Sequence, residues 1–405
     1  MSFIDGGVAA PQGFTTNGLC AGIKAGRTKP DTALIFSERP CAAAGVFTKN
    51  RVQAECVKLS RSHVADGKAQ AVIVNSGNAN ACTGEQGAQA ARRMAQAAAA
   101  ALSLRPEDVL VCSTGVIGQQ LPVEKIEAKI ACLVDGLSKE GHQAAREAIM
   151  TTDTRYKEAA LETTIGGKTV CLGTMAKGSG MIHINMGTML GFITTDCAIS
   201  PAMLDKALRE SVVGTYNCVS VDGDTSTNDT LLILANGMAG NPEIASENQD
   251  YQDFLSALNQ LNTIMAKRIA ADGEGAEHLV ECQVHGAASV EDARILAKAV
   301  ISSNLVKAAF FGKDANWGRI LCAMGYSGGS FTPENTSVSF VSKAGSIQVF
   351  RQGVPLDFDE ELARRILSED ETCIEVELQD GDCSGTAWGC DLTYEYVKIN
   401  GDYRT

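Results

Sequence analysis

A chain of 405 residues exceeds what one hydrophobic core fills, because single cores stop growing near about 250 to 300 residues, so two or three packed units are expected. A hydrophobic share of 45% can fill those cores and excludes a wholly disordered chain. A formal net charge of -13 without any basic run excludes a nucleic-acid partner, which needs clustered Lys and Arg to displace phosphate counterions, and leaves a small metabolite as the natural ligand.

In chain order, TALIF, AVIVN and DVLVC are apolar runs followed by Gly, Asn or Ser clusters, the pattern of strands ending in turns. The Ala-rich residues 84–104 and then 122–137 read as helices. Residues 161–174 read as a hairpin around Gly166-Gly167, since paired glycines supply the positive φ of a tight turn. A helix is expected to begin at Ser200-Pro201, where serine caps the first amides and proline fits the first turn. The longest helix is expected over 248–271, with Tyr251, Phe254, Leu255, Leu258, Leu261, Met265 and Ile269 as a core stripe. Beyond His278 come a strand, a helix from Ser289, a helix near Trp317, and strands at SVSFVS, IQVFRQ, TCIEVEL and LTYEYVKI. These form a C-terminal α/β unit whose boundary is expected near residues 280–288. No repeat or long linker separates the units, so they should pack closely.

The fourteen cysteines stand singly from Cys20 to Cys390 without a CxxC pair, and none of the five histidines has a metal-ligand spacing to them. Reduced, buried thiols in a cytosolic protein are expected, and no zinc site. The start, MSFIDGGVAAPQGF, has Asp5 and glycines where a secretory signal needs a basic patch and an apolar stretch. The charge-free run from Gly178 to Thr195 approaches membrane-span length, but His183, Asn185, its glycines and its hydroxyls would be costly in lipid. Burial within protein is expected instead.

GGKT at 166–169 lacks the first glycine of a phosphate loop, since position 162 is Glu, and GSGMIH at 178–183 lacks the third glycine of a dinucleotide fingerprint. More telling is KGSGMIHINMGTMLGFITTD, where Lys177 precedes Ser179, His183, Asn185 and Thr188 among apolar neighbours. Buried polar groups must find partners, so this stretch is either a strand with satisfied hydroxyls or the floor of a reaction site. Three further clusters follow strand-like runs: VNSGNANACTG at 74–84, CSTGVIG at 112–118 and SVDGDTSTNDT at 220–230. Each is either an ordinary tight turn or a place where backbone amides face a ligand.

Together these blocks resemble the ornithine acetyltransferase family, the bifunctional acetyltransferases of arginine biosynthesis, from end to end. KGSGMIHINMGTML resembles the family's cleavage motif, while NSGNANACTG, CSTGVIG, MTTDT, VDGDTSTNDT, GKDANWGRI and the closing YVKINGDYRT resemble family blocks in the expected order. The resemblance implies a scissile bond between Gly187 and Thr188. A threonine hydroxyl can attack the preceding carbonyl and leave an ester for water to hydrolyse, and Gly187 has no side chain to obstruct it. The freed α-amine of Thr188, of intrinsic pKa about 7.7 to 8.0, can then take the hydroxyl proton. No histidine is required as base, and His183 is expected as a hydrogen-bonded imidazole lining the strand.

The resemblance further assigns an oxyanion site to Thr114 and Gly115, and substrate contacts to Thr151, Lys177, Thr188, Glu274, Asn400 and Thr405. Lys177 suits an amino-acid carboxylate and Glu274 the side-chain ammonium of ornithine, although a lone Lys or Glu is more often a solvated surface charge. The family more often has alanine at position 187, proline where Ile184 stands and alanine where Gly401 stands. None of these departures removes a reacting group.

The implied activity is glutamate N-acetyltransfer by a ping-pong route: N2-acetylornithine acetylates Thr188, ornithine leaves, and L-glutamate accepts the acetyl group. No metal or redox cofactor is implied, and acetyl-CoA is an alternative donor in some members. The implied fold is a layered αββα-type sandwich of the self-processing N-terminal-nucleophile-like kind with a smaller C-terminal α/β domain. Residues 1–187 would form an alpha chain and 188–405 a beta chain, with 188–282 completing the core and 283–405 forming the C-terminal domain. Two alpha and two beta chains would assemble as a cytoplasmic heterotetramer. Two rivals are a related self-processed aminopeptidase or amidase, in which water accepts the acyl group, and a non-catalytic amino-acid-binding protein on the same architecture.

Overall fold

The computed structural model describes every residue except 25, 27, 184–188 and 403–405. The N-terminal strands are β1 (Ser2–Ile4), β2 (Phe14–Leu19), β3 (Thr32–Phe47), β4 (Lys68–Asn78) and β5 (Val109–Val116), with α1 (Glu55–His63) and α2 (Gly84–Leu102) between them. Short helices α3 (Val123–Glu127), α4 (Ile130–Asp135) and α5 (His142–Ala148) lead to β6 (Lys157–Ile165), β7 (Lys168–Lys177), β8 (Ile182–His183) and β9 (Leu190–Thr195). Next come α6 (Pro201–Gly214), β10 (Ser220–Thr225), β11 (Thr230–Ala235) and α7 (Gln249–Ala271). The last part holds β12 (Leu279–Ala287), α8 (Val290–Ser302), α9 (Asn304–Phe311), α10 (Trp317–Gly325), β13 (Ser337–Ser342), β14 (Gly345–Arg351) and β15 (Val354–Pro355). It closes with α11 (Glu360–Ile366), β16 (Glu371–Glu377), β17 (Cys383–Cys390) and α12 (Tyr394–Asp402).

The long strand β3 organises the first unit. Its N-terminal half pairs with β2 and β4, while its C-terminal half pairs with β11, which continues through β9, β7 and β6 to β1. One sheet thus supplies two layers. Val72, Val74, Leu110 and Cys112 from one layer share a core cluster with Met175, Phe192, Leu232 and Leu234 from the other. Helix α2 covers one outer face, with Ala90, Met94 and Ala98 against Ile73 and Val111. Helices α6 and α7 cover the other, against Val46, Ile193 and Ile233. This is the layered αββα arrangement implied by the sequence. The central strands are buried on both faces, which is why β4 and β9 read as continuous apolar runs.

Local signals place the helices. The Ser200 hydroxyl accepts from the Met203 amide at the start of α6, and the Asn248 side chain accepts from the Tyr251 amide at the start of α7. Gly166 and Gly167 have φ of +55 and +75 and turn β6 into β7.

The second unit is a six-stranded sheet ordered β15-β14-β13-β16-β12-β17, with α8 packed on β12 and β17. Helix α7 lies against both sheets, touching β6 and β7 on one side and β12 and β17 on the other. The boundary set at 282/283 falls inside β12, which joins the second sheet from Leu279.

One expected strand is corrected. LTYEYVKI contributes to α12, not to a sheet, and the edge beside β12 is taken by β17. No residue of α12 is buried, with Tyr394 82% and Val397 68% exposed, so its alternating pattern has no sheet face to serve. The Thr393 hydroxyl instead accepts from the Glu395 amide and starts a helix. Among the described residues no helix is long and apolar enough to cross a membrane. The charge-free run contains β8 and β9, and β9 is buried between β7 and β11.

Candidate active site

A cleft of about 340 Å³ opens where β5, β7 and β9 end or begin and is lined from outside by Tyr396 and Asn400 of α12. Thr114 and Gly115 line it from the end of β5, Thr151 from the loop after α5, Lys177 from the end of β7, Glu274 from the turn after α7 and Asn400 from α12. Six residues named from the sequence therefore share one cavity. Gly187, Thr188 and Thr405 lie outside the described residues. Ile182 and Met189, the nearest cleft-lining residues on either side of 184–188, both face the same cavity.

Gly115 has φ of +131 and pairs with Gly77 across the parallel β4–β5 ladder. A methyl group there would overlap the Gly77 backbone, so only glycine lets the two strands approach this closely. The strand end is braced from behind. Ser113 Oγ donates to Asn75 Oδ1 at 2.6 Å, and Asn228 Nδ2 donates to Ser113 O at 2.8 Å and to Ala79 O at 2.6 Å. The NSGNANACTG block thus supports Thr114 and Gly115 without lining the cleft.

Behind Lys177 lies a buried charge cluster that the sequence did not reveal. Asp153 accepts from the Thr151 amide at 3.0 Å, the Gly178 amide at 2.7 Å and Lys157 Nζ at 2.7 Å, and Lys177 Nζ stands 4.0 Å away. Lys157 also pairs with Asp272. Burial alone would raise the Asp153 carboxyl, but Lys177 and Lys157 outweigh it and hold the group well below the usual carboxylate range. Asp153 therefore anchors two lining residues at once.

Elsewhere in the cleft, Asn400 Nδ2 donates to Glu274 Oε2 at 2.8 Å, and the Glu274 amide donates to Ser179 O at 3.0 Å. A side chain on Gly180 would overlap the Glu274 carboxyl. Asp222 accepts from the amides of Met181 at 2.6 Å and Ile182 at 2.8 Å and so fixes the chain just before residue 184. A buried cation and a buried carboxylate in one small cavity match a zwitterionic amino acid bearing a second charged or acylated group.

His183 does not line the cleft. Its Nδ1 shares a hydrogen bond with Ser220 Oγ at 3.0 Å, and burial, with Lys298 nearby, lowers its pKa to about 4. The GKDANWGRI block is also remote in role: Asn316 caps α10 by accepting from the Arg319 amide, and Trp317 stacks on Phe350 with ring centroids 5.0 Å apart. Among the described residues, Glu277, His278 and Asp391 form the one group whose atoms could hold a metal ion, all within 4.8 Å of one another. They do not line the cleft, and Asp391 Oδ1 accepts from the Glu277 and His278 amides.

Comparison with known proteins follows the same outline. The sequence model of the ArgJ family matches residues 15–405. The arginine biosynthesis bifunctional protein ArgJ of Symbiobacterium thermophilum is 54% identical over 406 residues, covering 100% of both chains. Its counterpart in Caldanaerobacter subterraneus subsp. tengcongensis is 50% identical over 405 residues, again covering 100% of both. The crystal structure of the arginine biosynthesis bifunctional protein of Bacillus halodurans is similar with a TM-score of 0.51 and 45% identity, over 53% of this chain and 100% of that one. The resemblance read from the motifs is thereby borne out. With half of the residues identical over the whole length, this chain belongs to the ArgJ family.

Proposed function

We propose that this chain is an acetyltransferase of arginine biosynthesis that cuts itself between Gly187 and Thr188 and then carries an acetyl group from N2-acetylornithine to L-glutamate on Thr188. The observation that carries this reading is the convergence of Thr114, Gly115, Thr151, Lys177, Glu274 and Asn400 on one cleft, beside the two ends of the segment that holds Thr188. Lys177 meets the carboxylate that donor and acceptor share, and Glu274 meets the ornithine ammonium. The Thr114 hydroxyl and the Gly115 amide receive the oxyanion, and the freed α-amine of Thr188 takes its hydroxyl proton.

No metal or redox cofactor takes part in this scheme, and acetyl-CoA is an alternative donor within it. Two alpha and two beta chains assemble as a heterotetramer in this reading. A cytoplasmic setting belongs to it too, in keeping with cysteines that stand singly along the sequence without a CxxC pair.

The test is the covalent intermediate. Mass spectrometry of the Thr188 fragment with N2-acetylornithine alone is expected to show one added acetyl group, lost when glutamate is supplied, and initial-rate plots at fixed glutamate levels should be parallel. Intersecting plots with no acetylated fragment would mean direct transfer. Acyl transfer to water at the same rate with and without glutamate would favour an amidase.

Lys177→Ala is expected to lower kcat/KM for both substrates by about 10- to 100-fold, the worth of one charge-assisted contact. A loss confined to one substrate would separate the two carboxylate sites.

A further inference from the structure

Asp391 carries a carboxyl that the fold buries without fully satisfying it. It follows the last residue of β17 and is 3% exposed. Its Oδ1 accepts from the Glu277 amide at 2.9 Å and the His278 amide at 3.1 Å, whereas its Oδ2 is buried with no hydrogen-bond partner. A buried acceptor left alone costs free energy, so a native structure keeps one where something else meets it. The buried ammonium of Lys307 is engaged otherwise, donating to Val221 O at 2.5 Å and Cys390 O at 2.7 Å.

Two further metal-binding side chains stand beside this carboxyl. Glu277, His278 and Asp391 each offer a ligand atom, and these atoms lie within 4.8 Å of one another. His278 is buried, and its Nδ1 lies 2.9 Å from Glu369 O. A carbonyl oxygen only accepts, so Nδ1 holds a proton and Nε2 is the nitrogen of the neutral ring with a lone pair to give. A backbone carbonyl fixes the tautomer of many metal-binding histidines in this way. Glu277 is exposed and gives the cluster an open side toward solvent.

We propose that Glu277, His278 and Asp391 form a site for a divalent first-row cation, Mn²⁺ or Zn²⁺, outside the acetyl-transfer cleft. Two carboxylates and one imidazole make a hard-to-borderline donor set that suits these ions, with water completing the coordination. The site is structural, and its position gives it a consequence. Glu277 ends the turn after α7 that carries Glu274, while Asp391 precedes Thr393, whose hydroxyl donates to Gly275 O at 2.7 Å at the start of α12. The ion therefore ties together the two segments that bring Glu274 and Asn400 to the cleft. Nothing in this inference depends on the role of Thr188.

The experiment titrates the purified chain, stripped of metal by a chelator and dialysis, with Mn²⁺ alone. The free-ion EPR signal is expected to fall until one ion per chain is bound, with nitrogen modulation of the bound signal reporting the imidazole, and the thermal midpoint should rise with Mn²⁺ concentration. Zn²⁺ should displace it. Mn²⁺ comes first because oxygen and imidazole donors hold it and thiols hold it poorly, which keeps it off the exposed Cys82, Cys132 and Cys322. Glu277→Gln changes an exposed side chain, leaves the fold intact, and is expected to weaken binding by roughly 10- to 100-fold. His278→Gln should remove the nitrogen modulation. No saturable binding of either ion by the parent chain overturns the inference. Equal affinity in the parent and Glu277→Gln chains, or nitrogen modulation that persists in His278→Gln, places the ion elsewhere and overturns it as well.

Discussion

Thr188→Ala is expected to leave the chain whole at 405 residues and to abolish acetyl transfer, and the parent is expected to yield Met1 to Gly187 and Thr188 to Thr405. Alanine keeps the backbone and removes the one oxygen assigned both to the cut and to the acetyl ester. Loss of the nucleophile in acyl transfer costs on the order of 10⁶-fold in rate, so no activity should be measurable beside the parent. Thr188→Ser restores a hydroxyl and should restore both the cut and some transfer. A denaturing gel with N-terminal sequencing decides the first point. A new N-terminus at any residue other than 188 sinks the assignment.

Lys157→Ala is expected to destabilise the protein by about 3 to 5 kcal/mol, the cost of removing one partner from a buried ion pair. Lys157 is 1% exposed and lies between Asp153 and Asp272, both buried. Without it Asp272 loses its ammonium partner, and Asp153 retains only Lys177 at 4.0 Å. Because Asp153 also holds the amides of Thr151 and Gly178, transfer should slow as well.

The pH dependence of this effect has a fixed sign. Asp153 has its carboxyl depressed below the ordinary value of 3.8 in the folded state, so its contribution is full above that value and is lost as pH falls toward the depressed one. The stability gap between parent and variant should therefore be widest above about pH 5 and narrow below about pH 4. Urea midpoints measured at neutral and acid pH would show this. A gap that is equal at both would remove Asp153 as its source.

The elements legible in the sequence are those whose cause is local. Strands β3, β4 and β5 follow from short apolar runs closed by turn residues, α6 from the Ser200-Pro201 start, α7 from its apolar stripe, and the β6–β7 hairpin from two glycines. The site residues were named only through the resemblance of their motif blocks to a family, since a glycine turn at a strand end is by composition as readily an ordinary turn.

What only the tertiary structure decided is partnership. The alternation in LTYEYVKI is shared by a strand and an exposed helix, and β17 took the sheet edge because its own residues pair with β12. Asp153, Asp222 and Asp229 sit in the blocks MTTDT and VDGDTSTNDT, whose composition does not say what each carboxylate faces. Their surroundings depend on segments distant in sequence: Lys157 and Gly178 around Asp153, the Met181 and Ile182 amides on Asp222, and the β9–β11 ladder beside Asp229. Period and turn chemistry act between neighbours along the chain. The burial of a charge, and hence its proton affinity, is set by whatever else the fold packs around it.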